Sequence, residues 1–107
     1  MEQTAELIKE LAADTNNIIM SSHANMQCLK RKINSNDVLS VLRNGEIIEY
    51  YPTDYPYPSC LELGFVSENR ALHVCCAIGN NKLWVITAYY PTADKWESDM
   101  KTRKAVE

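Results

Sequence analysis

LHVCCAIGNNKLWVITAYYP (Leu72–Pro91) is two runs of apolar, β-branched and aromatic residues on either side of Gly79-Asn80-Asn81. Such residues suit a pleated, half-buried strand. A Gly-Asn-Asn segment supplies the positive φ angles of a tight hairpin turn. The spacing therefore predicts strands at Leu72–Ile78 and Leu83–Tyr90, joined directly and so antiparallel. Upstream, SSHANMQCLKRKINSNDVLSVLRNGEIIEYY (Ser21–Tyr51) changes period from 3.6 to 2. It reads as a helix at about 22–32, a second helix at about 36–43, and a strand at Ile47–Tyr51. Ser21 or Ser22 caps the first of these helices and Ser35 the second. Asn44-Gly45 offers a left-handed C-terminal stop. Apolar stripes are expected at Met26, Leu29 and Ile33, and at Val38, Leu39, Val41 and Leu42.

The rest of the chain fits around this pair of segments. Residues 3–13 have helical spacing, with Ala5, Leu7 or Ile8, Leu11 and Ala12 on one side. Ile18-Ile19-Met20 is a short apolar bridge. PTDYPYPS is a loop, because its prolines forbid a central strand. Cys60–Val66 is a further strand, followed by a turn at 67–70. Thr92-Ala93-Asp94 caps a last, polar helix over about 94–104. The fold class is α+β, one domain over residues 1–107. N-terminal helices pack on one face of a roughly four-stranded antiparallel meander, with a short C-terminal helix.

Bulk properties set limits on function. The chain has 107 residues, 46% hydrophobic and 23% charged, with a formal net charge of −3. No apolar run approaches the ~20 residues that span a bilayer. No secretory leader is recognisable, so a cytoplasmic location without membrane association is expected. The acidic balance weighs against a broad nucleic-acid surface, although Lys30-Arg31-Lys32 forms a local basic cluster. Cys28, Cys60, Cys75 and Cys76 have no metal-ligand spacing, so free thiols and no cofactor are expected.

Strand alternation divides the expected sheet into two faces. Leu61, Leu63 and Phe65, with Leu72, Val74, Cys76 and Ile78 and with Trp84, Ile86 and Ala88, form the face expected beneath the helices. The opposite face carries Glu49, Glu62, His73, Thr87 and Tyr89, beside Leu83 and Val85. A carboxylate, an imidazole and hydroxyls on neighbouring strands make an acid–base site. The same pattern also describes a plain solvated sheet face. On the first half, His23 shares a helix side with Gln27, Lys30 and, less tightly, Arg31. This is a phosphate-facing cluster, or simply a helix-capping histidine beside an exposed basic turn. The tyrosines at 50, 51, 55, 57, 89 and 90 can stack on bases or cover the edge of the core.

Taken together, SxHA…RxINxxDVLxVLxxGEIIExY, PYPSCLxLGF, ALHVxxAI and WVITAYYPxxxxW resemble a family of small bacterial domains of unknown function related to RelE-type toxins. The resemblance spans residues 18–97. It implies the toxin half of a toxin–antitoxin pair, on a fold with N-terminal helices and a curved antiparallel sheet. It also implies a metal-independent endoribonuclease acting on mRNA, in some cases on the ribosome. The partner would be a cognate antitoxin, often a zinc-finger helix-turn-helix protein. The family's recurrent polar positions match His23, Arg31, His73, Thr87 and Tyr89. Gln27 stands where members often have arginine, and Lys32 where they often have glycine. On this reading His73, Glu62 and Thr87 are catalytic, while His23, Lys30, Arg31 and Tyr89 hold substrate. The alternative is a non-catalytic protein-interaction module on the same fold. A cysteine-dependent enzyme built on Cys75 and His73 is a third reading.

Overall fold

The computed structural model describes residues 2–105. Three helices, α1 (Glu2–Ala12), α2 (Ser22–Lys30) and α3 (Ser35–Asn44), accompany a five-stranded mixed sheet. The strands are β1 (Ile18–Met20), β2 (Glu46–Tyr51), β3 (Ser59–Val66), β4 (Arg70–Gly79) and β5 (Lys82–Tyr89), in the order β1-β5-β4-β3-β2. The hairpin that opens the sequence reading is present: Asn80 and Asn81 take φ of 54° and 60°, as a primed turn requires. Ile18–Met20 is a strand rather than a bridge. It pairs parallel with β5 at Ile18↔Leu83 and Met20↔Val85, so the sheet has five strands and is not wholly antiparallel.

One core lies between helices and sheet. Ile8, Ala12, Ala24, Cys28, Val38, Val41 and Leu42 pack with Cys60, Leu72, Val74, Cys76, Leu83, Val85 and Ala88. The β4 face is the expected one, but the faces of β3 and of most of β5 are reversed. Cys60 and Glu62 stand opposite Cys76 and Val74, so they face the helices, while Leu61 and Leu63 stand opposite Cys75 and His73 on the far side. On β5 a register shift between Cys75↔Thr87 and Cys76↔Val85 leaves Ile86 as an extra residue. Such a bulge flips every side chain before it. Leu83 and Val85 are therefore core residues, and Trp84 lies on the opposite face, half-buried.

α2 is also rotated from the expected stripe. Met26 and Leu29 are 60% and 81% exposed, and the small residues Ala24 and Cys28 are buried instead. Small side chains let the helix approach β5 closely enough for its polar edge to reach the strand. Lys32, at φ 57°, ends this helix, with the Ile33 N–H donating to the Cys28 carbonyl. That is a left-handed stop usually given to glycine. Gly45 is not such a stop: its φ is −77°. Glycine is needed there for space, since a Cβ would sit 2.6 Å from the Val41 carbonyl oxygen and 2.7 Å from that of Leu63.

The segment after β5 is not a helix. Residues 92–104 form turns, closed by a bridge between Trp96 and Arg103, that lie across the far sheet face. This strap buries Trp96 with Leu61 and Cys75, flanked by Ile48, Tyr51, Tyr89 and Met100. Polar residues at 94–104 suit a helix by composition. The local hydrogen bonds go instead to Asp99, whose carboxylate accepts from the Lys101 and Thr102 amides at 3.0 Å, a turn an Asp commonly makes.

Candidate functional site

The close packing of α2 on β5 creates a polar seam. An Arg31 Nη1 N–H donates to the Ala88 carbonyl at 2.7 Å and to Thr87 Oγ1 at 3.2 Å. The Thr87 hydroxyl donates to Gln27 Oε1, and the Gln27 amide donates to His23 Nε2 at 3.0 Å. One directed chain, Arg31 to Thr87 to Gln27 to His23, thus joins the helix to the strand. Spacing of four along the helix puts His23, Gln27 and Arg31 on one side. Gln27 is one of its two inner links. Lys30 is exposed beside the seam, outside this chain of bonds.

At the Arg31 end lies a groove of about 390 Å³, lined by Arg31, Tyr89, Thr92, Lys95, Trp96 and Arg103 among others. Arg103 is committed: it donates to both Glu49 oxygens, at 2.7 and 3.0 Å. That pair holds the Glu49 carboxyl below the usual range, mainly through the Arg103 hydrogen bond and against the opposing effect of burial. Among the described residues, neither Arg31 nor Lys95 is ion-paired with a carboxylate. The groove therefore offers two cationic groups to an anion.

Behind Tyr89 stands His73, fully buried. Its Nε2 lies 2.6 Å from the Met100 carbonyl of the strap and must donate to it. Nδ1 is then the acceptor of the neutral ring, 3.2 Å from the Tyr89 hydroxyl. The Trp96 ring meets the imidazole edge-on at 4.5 Å between centroids. Burial pushes the His73 pKa down, while the Met100 carbonyl and the Glu49 carboxylate oppose that shift. Burial likewise pushes Tyr89 up. The site thus contains a neutral imidazole with a fixed tautomer behind a protonated phenol. The phenol reaches the groove and the imidazole does not. Residues read from the sequence come together in two sets: His23, Arg31 and Thr87 through Gln27, and His73 with Tyr89.

Glu62 belongs to neither. It faces the helices across the sheet from His73, fully buried, and its Oε2 has no hydrogen-bond partner among the described residues. Burial raises its pKa to about 7, opposed by the Lys9 charge. The carboxylate that acts on His73 is Glu49. Cys75 is also unsuited to attack: burial pushes its thiol up to about 11. No group of three or more His, Cys, Asp or Glu side chains among the described residues could hold a metal ion. Among the described residues no helix is long and apolar enough to cross a membrane. Trp96, Met100, Lys95 and Arg103 were not singled out as site residues in the sequence reading. Only a WxxxM and a basic tail signalled them, and neither has a distinctive spacing.

The arrangement defines an α+β domain whose helix–strand seam carries a polar chain ending in a cationic, aromatic-walled groove. Residues 20–90 match the profile of a family described as "Domain of unknown function (DUF4258)", and the chain belongs to that family. The matched region holds the seam and His73 and stops before the strap. No curated protein matches the chain, and no solved structure does.

Proposed function

We propose that this chain is the toxin of a bacterial toxin–antitoxin pair, an endoribonuclease of RelE/barnase-like type that cuts mRNA without a metal. The observation that carries the reading is the pairing of Tyr89 in the cationic groove with His73 behind it. Arg31 and Lys95 hold the scissile phosphate and stabilise the charge growing on it. The Tyr89 oxygen takes the proton of the ribose 2′-OH as its own phenolic proton passes to His73 Nδ1. The 2′-oxygen then attacks phosphorus. The 5′-oxygen leaves and takes a proton from solvent water, giving a 2′,3′-cyclic phosphate. Glu49 stabilises the imidazolium that forms, and the Met100 carbonyl keeps its orientation. This follows the logic of a reactive hydroxyl, a base and an orienting group. Thr87 and Gln27 position Arg31 rather than move protons. A cytoplasmic location and a cognate antitoxin, a zinc-finger helix-turn-helix protein, complete the reading.

The test is cleavage of an mRNA transcript in EDTA, with and without ribosomes. Tyr89→Phe and His73→Gln should each lower the rate about 100-fold or more, as loss of an acid–base group does. Arg31→Ala should do the same while circular dichroism shows an intact fold. A folded Tyr89→Phe protein that cuts at the wild-type rate would sink the relay. The second reading, a non-catalytic interaction module, is favoured by the exposure of Met26 and Leu29 on the outer side of α2. It predicts no cleavage in any of these assays, and partner binding that is lost in Leu29→Glu.

A further inference from the structure

At the His23 end of the seam lies a second hollow, of about 500 Å³, walled by His23, Asp54, Tyr55, Tyr57, Trp84 and Ile86. Two of its aromatic walls are fixed. The Trp84 indole N–H donates to the Gly79 carbonyl at 2.9 Å, and the Tyr57 ring stands 6.1 Å from the Trp84 ring at 34°. Tyr57 can sit there only because residue 79 is glycine: a Cβ would fall 2.3 Å from a Tyr57 ring carbon. The third ring, Tyr55, is 95% exposed. An exposed phenol facing fixed aromatic walls suits a planar guest, and a buried core has no use for it. Asp54, also exposed, accepts the Ser59 hydroxyl through one oxygen and has a second oxygen to offer.

The hollow is linked to the proposed phosphate groove through His23, which lines the hollow and ends the hydrogen-bonded chain from Arg31, itself a wall of the groove. Eight residues of helix separate His23 from Arg31, about 12 Å at 1.5 Å per residue. Hollow and groove therefore follow one another along the seam, as nearby but non-adjacent nucleotides of one extended strand do. We infer that the hollow binds an unpaired nucleobase of the same RNA whose phosphate lies on Arg31, with cytosine preferred to uracil. This rests on the RNA reading above. Stacking on tyrosine and tryptophan holds any base, because every base has a π face. The Asp54 carboxylate adds the preference, since it accepts from the cytosine 4-amino group and repels the uracil 4-carbonyl.

The test uses the full chain and 2′-deoxy hexamers of cytosine or of uracil, which lack the attacking hydroxyl and report binding without cleavage. Anisotropy gives the affinity, and tryptophan emission reports stacking; Trp96 lines the phosphate groove, so the Trp84 signal is the part of the emission change that Trp84→Phe removes. Tyr55→Ala should weaken cytosine-hexamer binding about tenfold or more, and Trp84→Phe should remove most of the change in emission. Asp54→Asn should equalise the two hexamers. Equal affinity of Tyr55→Ala and wild type, equal affinity of the two hexamers for wild type, or no binding overturns the inference. Hexamer binding with this mutational pattern but without cleavage of RNA supports the subsite and removes the ribonuclease reading. Cleavage that is indifferent to Tyr55 removes the subsite alone.

Discussion

Glu62→Gln tests the energetics of the core directly. Glu62 lies on the helix-covered face of β3, fully buried, with one oxygen lacking a partner among the described residues. Burial raises its pKa from the ordinary 4.5 to about 7. Between these values the folded chain holds a proton that the unfolded chain has released. Stability therefore falls as pH rises through this window, and the loss is complete above about pH 7. At about 1.4 kcal/mol per tenfold change in proton affinity, the loss is about 3 kcal/mol. That is a large share of the 5–15 kcal/mol typical of a domain. Glutamine has the same shape and does not titrate. Its amide has its own hydrogen-bonding needs, so the comparison is of slopes rather than of absolute stability. His73 acts in the opposite sense: its lowered pKa makes stability rise with pH up to the value in the unfolded chain. Both proteins share that contribution, and it cancels in their difference. Urea unfolding from pH 4.5 to 8 should show the variant gaining about 3 kcal/mol on wild type between pH 5 and 8. At the usual urea slope of about 1–3 kcal/mol per molar, the midpoint difference is roughly one to three molar. Parallel stability curves across that range would show that Glu62 is ionised at no cost, with a compensating partner.

Two further outcomes follow from the strap and from the end of α2. Trp96→Ala should cost about 3 kcal/mol, as truncation of a large buried ring does, and should open His73 to water. The His73 pKa should then rise toward its ordinary value, because burial is the main cause of its lowering; an unchanged NMR titration of the ring would show that Trp96 is not its cover. Lys32→Gly should stabilise the chain by about 0.5–1 kcal/mol, since a side chain at φ 57° is strained and the flexibility of glycine in the unfolded chain offsets only part of the relief. A loss of stability in thermal unfolding would show that the Lys32 side chain contributes more than its backbone costs.

Features set by neighbours in the sequence were legible. Asn80-Asn81 had to turn, and the runs on either side had to extend. The helix at 22–30 announced itself by its Ser21 cap, though not by its buried stripe, and the helix at 35–44 by its period, its cap being Asn34 rather than Ser35. The seam was partly legible for the same reason, because His23, Gln27 and Arg31 share a helix side by spacing alone. What the spacing could not show was that Thr87, some sixty residues away, would complete the chain of hydrogen bonds.

The faces of the sheet were misread for two physical reasons. A bulge at Ile86 inverts the alternation of β5 partway along, and no residue there announces it: isoleucine is at home in a strand either way. The strap covers the second face, so Ser59 through Leu63 are all buried and alternation on β3 carries no information about which side meets the helices. Leu61 and Leu63 then look like core and Glu62 like surface, when the apolar pair lies on the far face, Leu61 under the strap, and the carboxylate lies under the helices. The same misplacement decided the expected site. His73 was read as a solvent-facing base because the polar tail at 94–104 was read as a separate helix. The tail instead folds back, so that the Met100 carbonyl accepts from His73 Nε2 and the Trp96 ring packs against the imidazole, leaving only Tyr89 in reach of a ligand. A histidine that would act directly on an open face can, beneath this cover, act only through the phenol in front of it. For that reason Tyr89→Phe, which removes one oxygen and leaves the buried ring in place, separates the two arrangements more sharply than any substitution of His73 itself.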